Sequence, residues 1–171
     1  MKMPDFSLTD VVDGREVGSS SIGARPALVI FMCNHCPYVR HLEHEIARIG
    51  IDYAGMLGIV GICSNDPTAS PGDTPSELAA QYARINMSFP YLVDEDQSVA
   101  RAFGAVCTPD FFLFDAEHSL VYRGRCDSSR PGSAAAVTGD DLRGAIDAVL
   151  AGRSVSADQV PSMGCSIKWR N

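Results

Sequence analysis

The chain is short of positive charge. Its 14 lysines and arginines face 21 aspartates and glutamates, a formal net charge of −7. Nucleic acids and anionic membranes select basic surfaces, so neither is expected as a partner. No apolar run approaches the length of a membrane span. The first residues, Met1-Lys2-Met3-Pro4-Asp5, lack the apolar segment that directs export, and the expected location is the cytoplasm. Repeats and low-complexity linkers are missing as well. A length of 171 residues, 46% of them hydrophobic, suits one domain over 1–171 with a real core. The six cysteines are too scattered for a disulfide-stapled scaffold, and in a reducing compartment most stand as thiols.

What the chain does have is Cys33-Asn34-His35-Cys36, directly after the apolar run Ala27 to Met32. Such a run, rich in branched residues, reads as a buried strand. A C-x-x-C at the mouth of a strand, opening a helix, is the arrangement a redox dithiol needs. Unpaired N–H groups at the helix start favour thiolate over thiol. Cys33, at the exposed end of the strand, is the expected nucleophile. Cys36, one turn on and more buried, is the expected resolving thiol. A zinc or iron–sulfur half-site is the competing use of the same pair. His35 lies between the two sulfurs, where an imidazole favours the reduced form and makes the couple more oxidising.

Elsewhere the periodicities alternate. Phe6 to Val17 reads as two short strands around Asp13-Gly14. Leu42, Ile46, Ile49 and Tyr53 form one helical face, and Leu57 to Cys63 is a second buried strand with Cys63 in the core. Ser64 to Thr74, rich in Pro, Gly, Asp and Ser, reads as a surface loop. Thr74-Pro75-Ser76-Glu77 starts a helix with Leu78, Tyr82 and Ile85 inward. Then come a strand at Tyr91 to Val93, a brief helix at Ser98 to Phe103, strands at Phe111 to Phe114 and Leu120 to Tyr122, and a last helix carrying Leu142, Ile146, Val149 and Leu150. This order predicts an α/β sandwich with a mixed central sheet. Ser64-Asn65-Asp66, at the end of the second buried strand, either lines the site or caps the loop.

On these residues the chain resembles the thioredoxin superfamily, in its redoxin branch related to alkyl hydroperoxide reductase and thiol-specific antioxidant (AhpC/TSA). Roughly residues 4 to 151 carry the resemblance, through Pro4 to Leu8 with the Asp13-Gly14 turn, Cys33 to Cys36, and Thr108-Pro109. It implies a thioredoxin-like three-layer α/β/α sandwich with an extra N-terminal hairpin and a C-terminal tail. It also implies that Thr108-Pro109 is a cis-proline loop facing the dithiol. Cys107, just before that loop, admits three readings: a third redox thiol, a third metal ligand, or a loop residue. The tail Gly164 to Trp169 is similar to one subfamily of such proteins, and Cys165 there is either a resolving thiol or a packed anchor. Cys126 reads as incidental, in a polar loop, and His41 and His44 as solvated.

The departures are specific. Met32 stands where thioredoxin has Trp, and Ala27 where it has a buried Asp. The P-x-x-x-T-x-x-C motif of peroxiredoxins is missing, although Cys36-Pro37 echoes its last step. The expected activity is thiol–disulfide exchange through Cys33 and Cys36, with His35, Cys107, Thr108 and Pro109 in the site and no cofactor. Its substrate would be a protein or small-molecule disulfide, its reductant a thiol such as thioredoxin or glutathione. Thiol peroxidase and metal- or iron–sulfur-binding protein are the alternatives.

Overall fold

The computed structural model describes residues 1–171. Strand β3 (Ala27–Phe31) is its axis, and every residue of it is buried. Alternation along a strand sends Leu28 and Ile30 to one face of the sheet and Ala27, Val29 and Phe31 to the other. Because both faces are covered, the run is apolar throughout rather than alternating. β4 (Gly58–Cys63) pairs parallel with β3 in the same way.

Around these two, β1 (Ser7–Asp10), β2 (Glu16–Gly18), β5 (Tyr91–Val93), β7 (Asp110–Phe114) and β8 (Leu120–Gly124) complete a seven-stranded mixed sheet in the order β2-β1-β5-β4-β3-β7-β8. The hairpin β1–β2 joins the sheet antiparallel to β5. Two short strands, β6 (Cys107–Thr108) and β9 (Cys165–Ser166), pair antiparallel outside it. Helices α1 (Pro37–Asp52), α2 (Pro75–Arg84) and α4 (Asp140–Leu150) pack on one face, through Leu42, Ile46, Leu78 and Ile146. Helix α3 (Ser98–Phe103) covers the other. The expected three-layer sandwich and its element order are what the structure contains. No helix is long and apolar enough to cross a membrane.

Two expectations need correction, and one feature of α1 was not foreseen. Ser64 to Thr74 is not wholly a surface loop, because Ser70 and Asp73 are buried in it. Cys126 is a core residue at 1% exposure, since the polar segment around it folds over α1 and α4. Helix α1 buries Glu43 and Glu45 beside its apolar stripe, each charge being matched by arginine, Arg84 on the first and Arg143 on the second.

The face under α3 is an aromatic cluster. The Phe103 ring lies 5.3 Å from Phe31, 5.5 Å from Phe112 and 6.0 Å from Phe114, all edge-on, and 6.2 Å from Phe6. With six residues, α3 has little stability of its own and is held by this ring. Phe103→Ala is expected to cost about 3–5 kcal/mol. Urea denaturation of the reduced protein checks this, and a loss below about 1 kcal/mol would contradict the packing argument.

Candidate active site

The loop between β3 and α1 holds the two sulfurs, and it is clamped at the Cys33–Asn34 and Asn34–His35 peptides. The Cys33 carbonyl accepts from Gln81 Nε2 at 3.0 Å, and the Asn34 carbonyl from Arg40 Nε at 2.6 Å. The Asn34 and His35 amides donate to Asp73 Oδ1 at 2.7 and 3.2 Å. Gln81 is oriented by the Tyr91 hydroxyl, and the Asn34 side chain accepts from Arg84. A loop with so few free backbone groups keeps its sulfur geometry fixed.

The sequence places Cys33 at an exposed strand end. In the structure Cys33 and Cys36 are both at 0% exposure. The helix also starts later than expected. Pro37 takes its first position, so Cys36 is the N-cap and Cys33 lies in the loop ahead of it. The helix-end field therefore acts on Cys36.

The two thiols act on each other's ionisation, and their surroundings bear on the two unequally. The neighbouring Cys33 thiol is the main influence holding Cys36 well below the usual thiol range. The Cys165 thiol and backbone and the Val39 amide act in the same direction, although Val39 makes no aligned capping bond. Burial opposes them, and so does the bond that a protonated Cys36 donates to the Thr108 carbonyl at 3.4 Å. A thiol-to-carbonyl bond is a weak interaction and does not reverse the balance. Cys33 is pushed the other way by the neighbouring Cys36 thiol, by burial and by the Asp73 carboxylate. The helix start thus favours ionisation of Cys36, and burial with the Asp73 carboxylate disfavours that of Cys33.

Thr108 reaches the pair twice, since its Oγ1 also lies 3.4 Å from Cys33 Sγ. The Thr108–Pro109 peptide is cis. Cys107 is not brought onto the dithiol. Neighbouring residues of a strand point to opposite sides, and with Thr108 turned inward Cys107 turns away, its thiol bonding the Pro109 carbonyl at 3.7 Å. It lines a cleft with Asp110 and Arg123, and burial pushes its pKa up to about 12. The His35 ring is bonded through Nδ1 to Asp73 Oδ2, which makes it a partner of that carboxylate.

Asp73, which nothing in the sequence marks, is the centre of the polar wall. Besides the two amides and the His35 ring it accepts from Asn65 Nδ2 at 3.0 Å. A ligand atom of Cys33, one of His35 and one of Asp73 lie within 4.8 Å of one another. Both Asp73 oxygens are already engaged by donors, so the set is a hydrogen-bonded network rather than a prepared metal site. Asn65 joins this wall, as its place at a strand end allows. Gln81 is the other residue missed, whereas the sequence already marks Cys165 as a resolving thiol or a packed anchor. Cys165 pairs with Thr108 in the β6–β9 ladder, and the Thr108 carbonyl lies 3.4 Å from Cys36 Sγ. His41 is bonded to Ser129 Oγ at 2.9 Å, and His44 is exposed.

Residues 1–123 match the family model of the AhpC/TSA family. An uncharacterized conserved protein of Geobacillus kaustophilus is 44% identical, with a TM-score of 0.96 over 99% of this chain and 91% of that one. A protein of Sinorhizobium meliloti is 45% identical, with a TM-score of 0.97 over 99% and 93%. A secreted disulfide oxidoreductase of Mycobacterium tuberculosis, homologous to DsbE of E. coli, shares the fold at 18% identity, with a TM-score of 0.64 over 86% and 95%. Among curated proteins nothing matches.

Proposed function

The chain belongs to the AhpC/TSA family, and on that footing we propose that it is a thiol–disulfide oxidoreductase cycling between a Cys33–Cys36 dithiol and disulfide. The observation that carries the reading is that both sulfurs are buried and held on one residue, Cys33 Sγ 3.4 Å from Thr108 Oγ1 and Cys36 Sγ 3.4 Å from the Thr108 carbonyl, at the start of α1. In the oxidant-consuming direction the Cys36 thiolate attacks one sulfur of a protein or small-molecule disulfide and expels the other as a thiolate. Cys33 then loses its proton and attacks Cys36 Sγ, which closes the internal disulfide and releases the second substrate thiol. Thr108 and the clamped loop hold both sulfurs in place for this step. A thiol such as thioredoxin or glutathione returns the two electrons.

Titration against glutathione, with the disulfide located by peptide mass mapping, tests the proposal. One two-electron transition at Cys33–Cys36 is expected. Stabilising the Cys36 thiolate favours the reduced form, so the midpoint should lie nearer about −180 mV than about −270 mV. If no poise yields the Cys33–Cys36 bond, the reading is wrong.

Family membership and the Cys36-Pro37 step also favour a peroxidase reading. There the Cys36 thiolate attacks a peroxide oxygen, becoming a sulfenic acid as hydroxide leaves. The guanidiniums nearest the loop oppose it, because Arg40 is bonded to Asn34, and Arg84 to Asn34 and Glu43. Oxidation by hydrogen peroxide much faster than that of a free thiol would favour peroxidase over disulfide exchange.

A further inference from the structure

The final residues form a strap over the dithiol. It begins where Ser162 Oγ donates to the Pro109 carbonyl at 2.5 Å. Gly164 then crosses the Thr108 peptide so closely that a Cβ there would sit 2.0 Å from the Thr108 carbonyl oxygen. Cys165 pairs with Thr108, and Ile167 is buried in the face under α3. The Lys168 amide donates to Asn65 Oδ1 at 2.9 Å, and its carbonyl accepts from the Asp66 amide at 2.8 Å and from Gln97 Nε2 at 2.9 Å. Trp169 lies under the Arg101 guanidinium at 4.6 Å. Bonds on both sides of Cys165 therefore hold it beside Thr108, whose carbonyl lies 3.4 Å from Cys36 Sγ.

This arrangement gathers three cysteines around Thr108, with Cys33 Sγ 3.4 Å from its Oγ1, Cys36 Sγ 3.4 Å from its carbonyl and Cys165 paired with it across the β6–β9 ladder. Cys33 and Cys36 have no exposed surface, whereas Cys165 is half-buried. Of the three residues, Cys165 offers the most exposed surface to an external thiol. Building on the dithiol reading above, we propose that Cys165 is a third redox thiol, which takes over Cys36 from Cys33 and presents the resulting disulfide to the reductant.

The exchange balances in three steps. Cys165 gives its proton to solvent and attacks Cys36 Sγ of the Cys33–Cys36 bond; Cys33 leaves and takes up a proton, with no net electron change. An external thiolate then attacks Cys165 Sγ and expels the Cys36 thiolate, the best leaving group of the three. A second external thiol attacks the external sulfur of the mixed disulfide and frees Cys165, so two external thiols become one disulfide and the site is reduced.

Two measurements test this. In Cys33→Ser oxidised with glutathione disulfide, mass mapping should find a Cys36–Cys165 link. Oxidised Cys165→Ser should be reduced by glutathione at least about tenfold more slowly than the unsubstituted protein, with Cys107→Ser as the unaffected control. Glutathione left on Cys36 of Cys33→Ser without the link, or reduction of Cys165→Ser at an equal or faster rate, would overturn the relay. A Cys33–Cys36 disulfide forming normally in Cys165→Ser would leave the dithiol reading standing in that case. Its failure to form in any variant would strike the dithiol reading instead.

Discussion

Cys36→Ser is expected to abolish turnover and to remove the ultraviolet absorbance of a thiolate from the reduced protein at neutral pH. Cys33→Ser should keep that absorbance. The reason is the unequal ionisation described above. Serine at 33 still offers a hydroxyl donor, and the Cys165 and Val39 groups remain. The sign follows from the lowered pKa. A thiolate exists above its pKa, so the Cys36 signal should persist well below the pH at which an ordinary thiol is protonated. It should disappear only on further acidification. The other thiols contribute nothing at neutrality, because burial pushes Cys165 up to about 11 and Cys63 and Cys107 up to about 12. In the double variant Cys33→Ser, Cys165→Ser, both routes of release are closed and a mixed disulfide should accumulate on Cys36. Accumulation on Cys33 in Cys36→Ser would instead restore the assignment expected from the sequence.

Asp73→Ala should carry the second large effect, on stability and titration together. The Asn34 and His35 amides and Asn65 Nδ2 lose their acceptor at once, and Asp73 itself is only 3% exposed. With about 1 kcal/mol for each donor left unpaired, the loss should be about 3 kcal/mol. For a chain of this size that lowers the thermal midpoint by about 6–12 °C. The Asp73 charge also helps hold the proton on Cys33, so removing it should let Cys33 ionise at lower pH. Asp73→Asn keeps one oxygen for the two amides and should lose less. A thermal midpoint unchanged in Asp73→Ala would contradict the role given to this carboxylate.

The sheet was legible because its signals are local. Apolar runs marked β3 and β4, Asp13-Gly14 marked the hairpin, and Thr74-Pro75 marked the start of α2, where the Glu77 amide donates to Thr74 Oγ1 at 3.4 Å. The start of α1 was misread: the C-x-x-C pattern predicts a helix opening there with its end field on Cys33, whereas Pro37 takes the first helical position and makes Cys36 the cap. Asp73 was not legible. It lies in a segment whose Pro, Gly and Ser content signals a loop, and only the folded chain shows that loop turning its carboxylate under Asn34 and His35. Cys107 misled for a different reason. Adjacency to Thr108 places it near the site in sequence, and strand alternation then turns it away.

The strap and the dithiol also differ in when they are made. Cys36 is synthesised 129 residues before Cys165. At about 5–20 residues per second, the gap is about 6–26 s. Until residue 165 is made and docks, β6 has no β9 to pair with and nothing covers the Cys36 sulfur from that side. The nascent protein is thus expected to pass through a stage in which its most acidic thiol is open to any disulfide or electrophile nearby, and alkylation of ribosome-bound chains should be fastest in that interval.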